Sequence, residues 1–127
     1  MAYFTKASEV DPENLTLLND LAWALAEAKD PKGAEYAQRA YRLAPNNPAI
    51  TNTYGWALFQ RGDTAQGLQL LRRAVDLDPT DANRRLYLAK ALIQSGDKPA
   101  ARKELEIVAN AESPRARDEA KQLLERL

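Results

Sequence analysis

The chain has 127 residues, enough for one compact domain or a short row of repeats. Its 18 basic and 18 acidic residues cancel, so no overall field attracts nucleic acid or an anionic membrane surface. Without cysteine or histidine, disulfides, thiolate chemistry, sulfur-ligated zinc and a histidine general base are all excluded. No apolar stretch approaches the roughly 20 residues that a membrane-spanning helix needs.

Regularly spaced prolines reveal an internal repeat. Pro12, Pro45 and Pro79 are separated by 33 and 34 residues, and an alanine lies five residues before each of them. A second landmark keeps the same spacing: LAWAL at 21–25 returns as YGWAL at 54–58 and as LAKAL at 88–92. Because two independent landmarks share one period, the chain is interpreted as an array of units of about 34 residues.

The first predicted element is a helix over residues 3–11, which ends before Pro12. It has the spacing of the second helix in a repeat, so residues 1–14 are interpreted as the remainder of a truncated preceding unit. Two explanations stay open, namely excision from a longer array and a natural capping helix. Such a half-repeat would fray or pair with a second copy of the chain as a homodimer.

Three complete helical hairpins are predicted next, over residues 15–47, 48–81 and 82–112. Each hairpin turns at a short polar segment, which contains Gly62 in the second unit and Gly96 in the third. The turn of the first unit lacks glycine and is one residue shorter, which explains the period of 33.

The middle unit shows the plan of one hairpin. Ile50, Tyr54 and Leu58 share one face, which predicts an amphipathic helix over residues 48–61. A second helix is expected over residues 64–77. No segment alternates between apolar and polar residues as a half-buried strand would, so no strands are predicted.

Residues 113–127 are predicted to form a terminal capping helix. Ser113 suits the N-cap position and Pro114 suits the first turn. Alanines and leucines then form a narrow apolar stripe flanked by arginine and lysine. A helix that closes a repeat array needs such an apolar inner face and a charged outer face.

Small residues lie where the paired helices should approach closely, in two sets: Ala22, Gly55 and Ala89, and Gly33, Gly67 and Ala101. With the two-helix unit and its period, this order resembles the tetratricopeptide repeat family. The best match to the family pattern is in the middle unit: Tyr54, Gly55, Leu58, Gly67, Leu71, Ala74 and Pro79.

The early tryptophan of the family is replaced throughout: Leu18, Thr51 and Arg85. Ser113 stands where the third unit should close with proline.

This resemblance implies an all-α fold, a right-handed α-solenoid of helix-turn-helix repeats whose first helices line a concave groove. The succession of Leu-Ala-Trp and Tyr-Gly-Trp is also similar to the last repeats of bacterial tetratricopeptide lipoproteins linked to exopolysaccharide systems. The chain as it stands has no signal-peptide shape, which favours the cytoplasm. Excision from such a lipoprotein would instead imply a periplasmic or membrane-anchored location.

Catalytic patterns are absent from the sequence, which contains no glycine-rich phosphate loop and no zinc-binding or Ser/His/Asp spacing. The protein is therefore not expected to be an enzyme or to hold a metal or cofactor. Asp76 and Asp78 lie at a helix end, where capping explains them better than acid–base chemistry. The pairs Arg72-Arg73 and Arg84-Arg85 could contact an anion, although solvated helix faces are the more ordinary interpretation.

One constellation indicates binding. Polar and apolar side chains recur on the first-helix faces opposite the hairpin core and define the predicted peptide-binding groove: Asn19, Trp23, Asn52, Trp56, Phe59, Leu86, Lys90 and Ile93. Asparagine amides can bond an extended peptide backbone, indoles offer broad apolar surface, and Lys90 favours an acidic or C-terminal group. Alternatively, the rings pack between adjacent first helices, and half-exposed rings would do both.

The predicted function is a protein–protein interaction module that binds a peptide or protein segment in this groove. No nucleic-acid partner and no membrane insertion by this segment are expected. The alternative is a structural spacer or self-assembly element of a longer array, without a groove ligand. Exposure of Trp23 and Trp56 distinguishes the two functions.

Overall fold

The computed structural model describes residues 14–127, and this part of the chain forms seven α-helices and no strands. The helices are α1 (Leu15–Glu27), α2 (Lys32–Leu43), α3 (Pro48–Arg61), α4 (Thr64–Leu77), α5 (Ala82–Gln94), α6 (Lys98–Val108) and α7 (Pro114–Arg126). The predicted all-α class is confirmed. The predicted half-repeat helix at residues 3–11 and its proposed dimer contact lie outside the described residues.

The helices belong to two compact units, divided between Leu77 and Asp78. In the first unit, α1 pairs with α2 and α3 pairs with α4, while α3 also packs against both α1 and α2. In the second unit, α5 pairs with α6, and α7 packs against both of them. Below, α1, α3 and α5 are called the first helices, and α2, α4 and α6 the second helices.

Each first helix begins at a side-chain cap that recurs with the repeat. Asn14, Asn47 and Asp81 accept hydrogen bonds from the backbone N–H groups three residues later, at 3.0 to 3.1 Å. Such caps satisfy one of the N–H groups that the first helical turn leaves without a partner. Ser113 caps α7 in the same way, as its sequence predicted. The capping residues thus fix the start of every first helix.

The turns inside the hairpins need a left-handed residue. Gly62 and Gly96 provide it, with φ angles of 107° and 91°. In the first hairpin, which lacks glycine here, Lys29 adopts a φ of 59°. Glycine enters this region without steric cost, whereas a residue with a Cβ does not. The first hairpin therefore makes its turn at the expense of backbone strain.

The paired helices of the second hairpin approach each other closely. A Cβ added at Gly55 would lie 2.9 Å from the backbone nitrogen of Leu71 and 3.0 Å from the carbonyl oxygen of Gly67. A Cβ added at Gly67 would in turn lie 2.8 Å from the carbonyl oxygen of Gly55. The two glycines let α3 and α4 touch backbone to backbone, as predicted for these small-residue positions.

Burial of α3 differs from the sequence expectation. Every residue from Ile50 to Phe59 is buried, whereas one apolar stripe was predicted. The cause is position, because α1, α2 and α4 all pack against this helix. The polar residues Thr51 and Thr53 are accommodated by donating their hydroxyls to the carbonyl oxygens four residues earlier. No single-stripe pattern describes a helix enclosed by three others.

The second unit has its own apolar core. It brings together residues of all three helices: Leu86, Ala89, Leu105, Val108, Ala116 and Ala120. Residues near the end of α7, among them Leu123 and Leu124, pack against this cluster while staying partly exposed. Within residues 14–127 no helix combines the length and hydropathy that crossing a membrane requires.

Candidate functional site on the first helices

The predicted groove residues of α1 lie partly at the surface. Trp23 and Asn19 are both half-buried, and they are separated by one helical turn. The side-chain oxygen of Asn19 is buried and has no hydrogen-bond partner in the described part of the chain. A half-exposed indole beside an amide is compatible with both packing and ligand contact.

Trp56, at the equivalent position of α3, is a much more enclosed residue. Only 5% of it is exposed, and its ring stacks on Phe59 with centroids 6.0 Å apart. Its indole Nε1 donates to the Oε1 atom of Glu27, at the end of α1, over 3.0 Å. The indole therefore links α3 to α1, and the Glu27 carboxylate occupies the donor that a ligand would need.

Asn52 is the most unusual member of the set. It is 7% exposed, and its Oδ1 atom is buried without a hydrogen-bond partner among the described residues. Asn19 and Asn52 are the two residues of the described chain with such an oxygen, and they hold the same position in successive repeats. Leaving a buried acceptor unsatisfied costs about 1–3 kcal/mol, so this recurrent arrangement is unfavourable unless a further group donates to each oxygen.

The second unit presents the remaining predicted residues in a different setting. Leu86 is buried in the apolar core, whereas Ile93 packs against that core and stays partly exposed. The ammonium group of Lys90 lies 2.5 Å from the Oε2 atom of Glu119 on α7, and 5.1 Å from the ring centroid of Tyr87. An acidic group of a partner would therefore compete with Glu119 for this lysine.

Sequence reasoning missed the two carboxylates that contact the predicted site. Glu27 and Glu119 are distant in sequence from their partners Trp56 and Lys90, and neither belongs to a local motif. Only the packing of one helix on another brings each pair together. The recurrence of asparagine and tryptophan was the available sequence signal. It identified the helix face of the site but not the side chains of other helices that contact this face.

Several of the charged residues considered for chemistry have structural partners. The Thr80 hydroxyl donates to Asp78 over 2.6 Å and holds the pKa of that carboxyl below its ordinary value. Arg84 pairs with Asp78 at 3.1 Å, and Arg85 pairs with Glu104 at 2.9 Å. The contacts of Asp78 lie at the start of α5, and the Arg85–Glu104 pair joins α5 to α6. Residues 14–127 also contain no cluster of three or more acidic side chains able to hold a metal ion.

Repeated helix-turn-helix hairpins with small residues at their contacts define a helical-repeat protein. Proteins of this class commonly present extended binding surfaces. Residues 58–127, more than half of the chain, match the tetratricopeptide repeat family, and so do residues 2–48. The chain therefore belongs to the tetratricopeptide repeat family. Family and fold support a protein-interaction module.

Individual relatives agree with this assignment. A TPR repeat-containing protein of Pseudomonas aeruginosa is 32% identical over 71 residues, which are 54% of this chain and 12% of that protein. A structure of MamA from Desulfovibrio magneticus RS-1 superposes with a TM-score of 0.75 at 20% identity, covering 86% of this chain and 62% of that one. Another MamA crystal structure gives 0.73 at 20% identity, covering 94% and 79%. These likenesses show a shared fold.

Proposed function

We propose that the chain is a protein-interaction module whose first helices bind an extended segment of another protein. The observation that carries the proposal is the pair of buried side-chain oxygens of Asn19 and Asn52, repeated from one unit to the next without hydrogen-bond partners. Acceptors that recur from one repeat to the next suit a ligand whose hydrogen-bond donors also recur along its length. An extended polypeptide presents such donors in its backbone N–H groups.

The geometry of the first unit supports this ligand class. Because α1 packs against α3, equivalent residues of the two helices lie roughly 8–10 Å apart. That distance corresponds to about three residues of extended peptide. Rotation of each amide about its terminal bond would turn the oxygen toward a ligand or offer the NH₂ group instead. A peptide laid across both helices could thus bond both asparagines.

The two tryptophans have different parts in the proposal. Trp23 is partly exposed and supplies apolar surface next to Asn19. Trp56 is hydrogen-bonded to Glu27 and stacked on Phe59, so it stabilises the packing of α1 on α3 beneath the proposed binding surface. Binding energy should therefore depend on Trp23, and the shape of the surface should depend on Trp56.

Selection from a phage-displayed library of random peptides would provide ligands for the test. We expect Asn52→Leu to melt at or above the wild-type temperature, because it removes a buried oxygen without a partner and fills similar space. The same change should weaken peptide binding about tenfold, and Trp23→Ala should weaken it at least as much. Isothermal titration calorimetry measures both affinities.

Tyr36→Ala is the matched control, since it removes a half-buried aromatic ring from α2, outside the proposed surface. Its affinity for the same peptides should equal that of the wild type. Unchanged affinity in both Asn52→Leu and Trp23→Ala, with the fold intact, would rule out peptide binding on this face. A spacer or self-assembly element would then be the better description.

A further inference from the structure

A cavity in the first unit is lined by none of the predicted groove residues. The backbones of the second helices α2 and α4 do not approach each other closely, because both helices pack on α3 between them. The gap encloses about 460 Å³ and is lined by eight residues: Gln38, Tyr41, Arg42, Tyr54, Gln66, Gln69, Leu70 and Arg73. This volume lies within the range of ordinary small-ligand pockets, about 300–1,000 Å³.

The floor of the cavity is apolar and aromatic. Tyr41 and Tyr54 stand with ring centroids 5.2 Å apart at an angle of 42°, and Leu70 is buried next to the gap. Tyr54 is 7% exposed, so its ring is fixed in the core of the hairpin array. Rigid aromatic surface of this kind favours one apolar side chain of a ligand.

The rim carries positive charge without compensation. Arg42 and Arg73 line the cavity, and no acidic residue does. Within the described chain neither guanidinium is ion-paired, in contrast to Arg61, Arg84 and Arg85. Arg73 donates instead to neutral oxygens, the Pro45 carbonyl at 3.3 Å and Asn46 Oδ1 at 2.8 Å. These bonds hold the Arg73 guanidinium at the rim and leave its charge unneutralised.

Charge is also distributed unequally between the two sides of this unit. The second helix α2 has three basic residues and one acidic residue, and α4 has two and one. The first helix α1 has two acidic residues and no basic ones, and α3 has a single arginine. An acidic partner is therefore attracted to the second-helix side rather than to the proposed peptide-binding face.

We propose that the cavity between α2 and α4 binds a short acidic peptide segment of a partner protein, independently of the first-helix surface. Carboxylate side chains pair with Arg42 and Arg73, an apolar side chain rests on the tyrosines, and the glutamine amides bond the backbone. Residues 66 to 73 of α4 extend about 10 Å, which matches about three residues of extended peptide. The chain would then hold two partners, one on each side.

The probe for the test is a fluorescein-labelled Gly-Glu-Glu-Phe-Glu-Glu-Gly peptide with an amidated C-terminus. Its sequence reads the same in both directions, so the order of its side chains does not depend on the binding direction, and amidation removes the terminal carboxylate. Fluorescence anisotropy should show saturable binding to the full chain, which the analogue with glutamine in place of glutamate should not show. Arg42→Glu and Arg73→Glu should each weaken binding by about tenfold or more, since each reverses a charge-assisted contact.

Arg72→Glu is the matched control, because Arg72 is the exposed neighbour of Arg73 and does not line the cavity. Its affinity should stay within about twofold of the wild type, as expected for a charge outside the contact. Arg42 is exposed and forms no ion pair or side-chain hydrogen bond within residues 14–127, so Arg42→Glu remains informative even if Arg73→Glu loosens the turn at Pro45. An equal loss in Arg72→Glu would overturn the proposal in favour of diffuse charge attraction, as would equal binding of the glutamine analogue. Binding only of a peptide with a free C-terminus would overturn the choice of side-chain carboxylates.

Discussion

Replacing Gly55 with leucine should destabilise the protein by about 3 kcal/mol or more, and so lower its melting temperature by roughly 10 °C. The Cβ alone would lie 2.9 Å from the Leu71 nitrogen and 3.0 Å from the Gly67 carbonyl oxygen. Both are backbone atoms of α4, which cannot move aside as a flexible side chain can. The gain of about 1 kcal/mol in helix propensity is smaller than this clash. Thermal unfolding followed by far-ultraviolet circular dichroism measures the change.

Ala65→Leu provides the control for the Gly55 variant. It adds similar bulk to the facing helix α4, at an exposed position away from the contact with α3. Its melting temperature should stay close to that of the wild type. If Gly55→Leu also melts like the wild type, α3 and α4 cannot approach each other as closely as described here.

Truncating Trp56 to alanine should lower the free energy of unfolding by about 3–5 kcal/mol, the usual loss for an enclosed aromatic side chain. The change removes a ring that is 95% covered, its stacking on Phe59, and the hydrogen bond from Nε1 to Glu27. Trp56→Phe keeps most of the ring volume and loses the hydrogen bond, so its stability should lie between those of the wild type and Trp56→Ala. Chemical denaturation of the three proteins gives their free energies of unfolding and therefore their order of stability.

Trp23→Ala is the comparison that distinguishes the two tryptophans. Because Trp23 is only half-buried, its truncation should reduce stability less than that of Trp56. If both variants lose the same stability, the two rings have equivalent roles and the division between binding and support is wrong. If Trp56→Ala keeps wild-type stability while losing peptide affinity, Trp56 is itself a contact residue.

The hairpins were predictable from sequence because their signals are local. Glycine at Gly62 and Gly96, small residues at Gly55 and Gly67, and regularly spaced prolines each act within one unit. Repetition of these signals at a fixed period makes the inference stronger than any one of them. The bounds of α3 and α4 accordingly agree with the expected ones.

The surroundings of the candidate site depend on contacts between distant helices. Periodicity placed Trp23 and Trp56 on equivalent faces, yet one residue is partly exposed and the other enclosed. Arg72 and Arg73 are likewise identical neighbours in the sequence, and only Arg73 reaches the cavity and the turn at Pro45. Such differences arise from packing, which a helical period does not encode. The eight groove residues accordingly remain a prediction.

The indole signals in a ¹⁵N–¹H correlation spectrum give the most direct test of peptide binding on the first helices. Trp23 and Trp56 are the two tryptophans of the chain, so a Trp→Phe variant of each assigns both signals. On titration with a library-selected peptide, the Trp23 signal and the side-chain amides of Asn19 and Asn52 should shift together and saturate at one dissociation constant. The Trp56 signal should move less, because Glu27 holds its N–H group. Binding that shifts other residues and leaves Trp23, Asn19 and Asn52 unchanged would contradict the account.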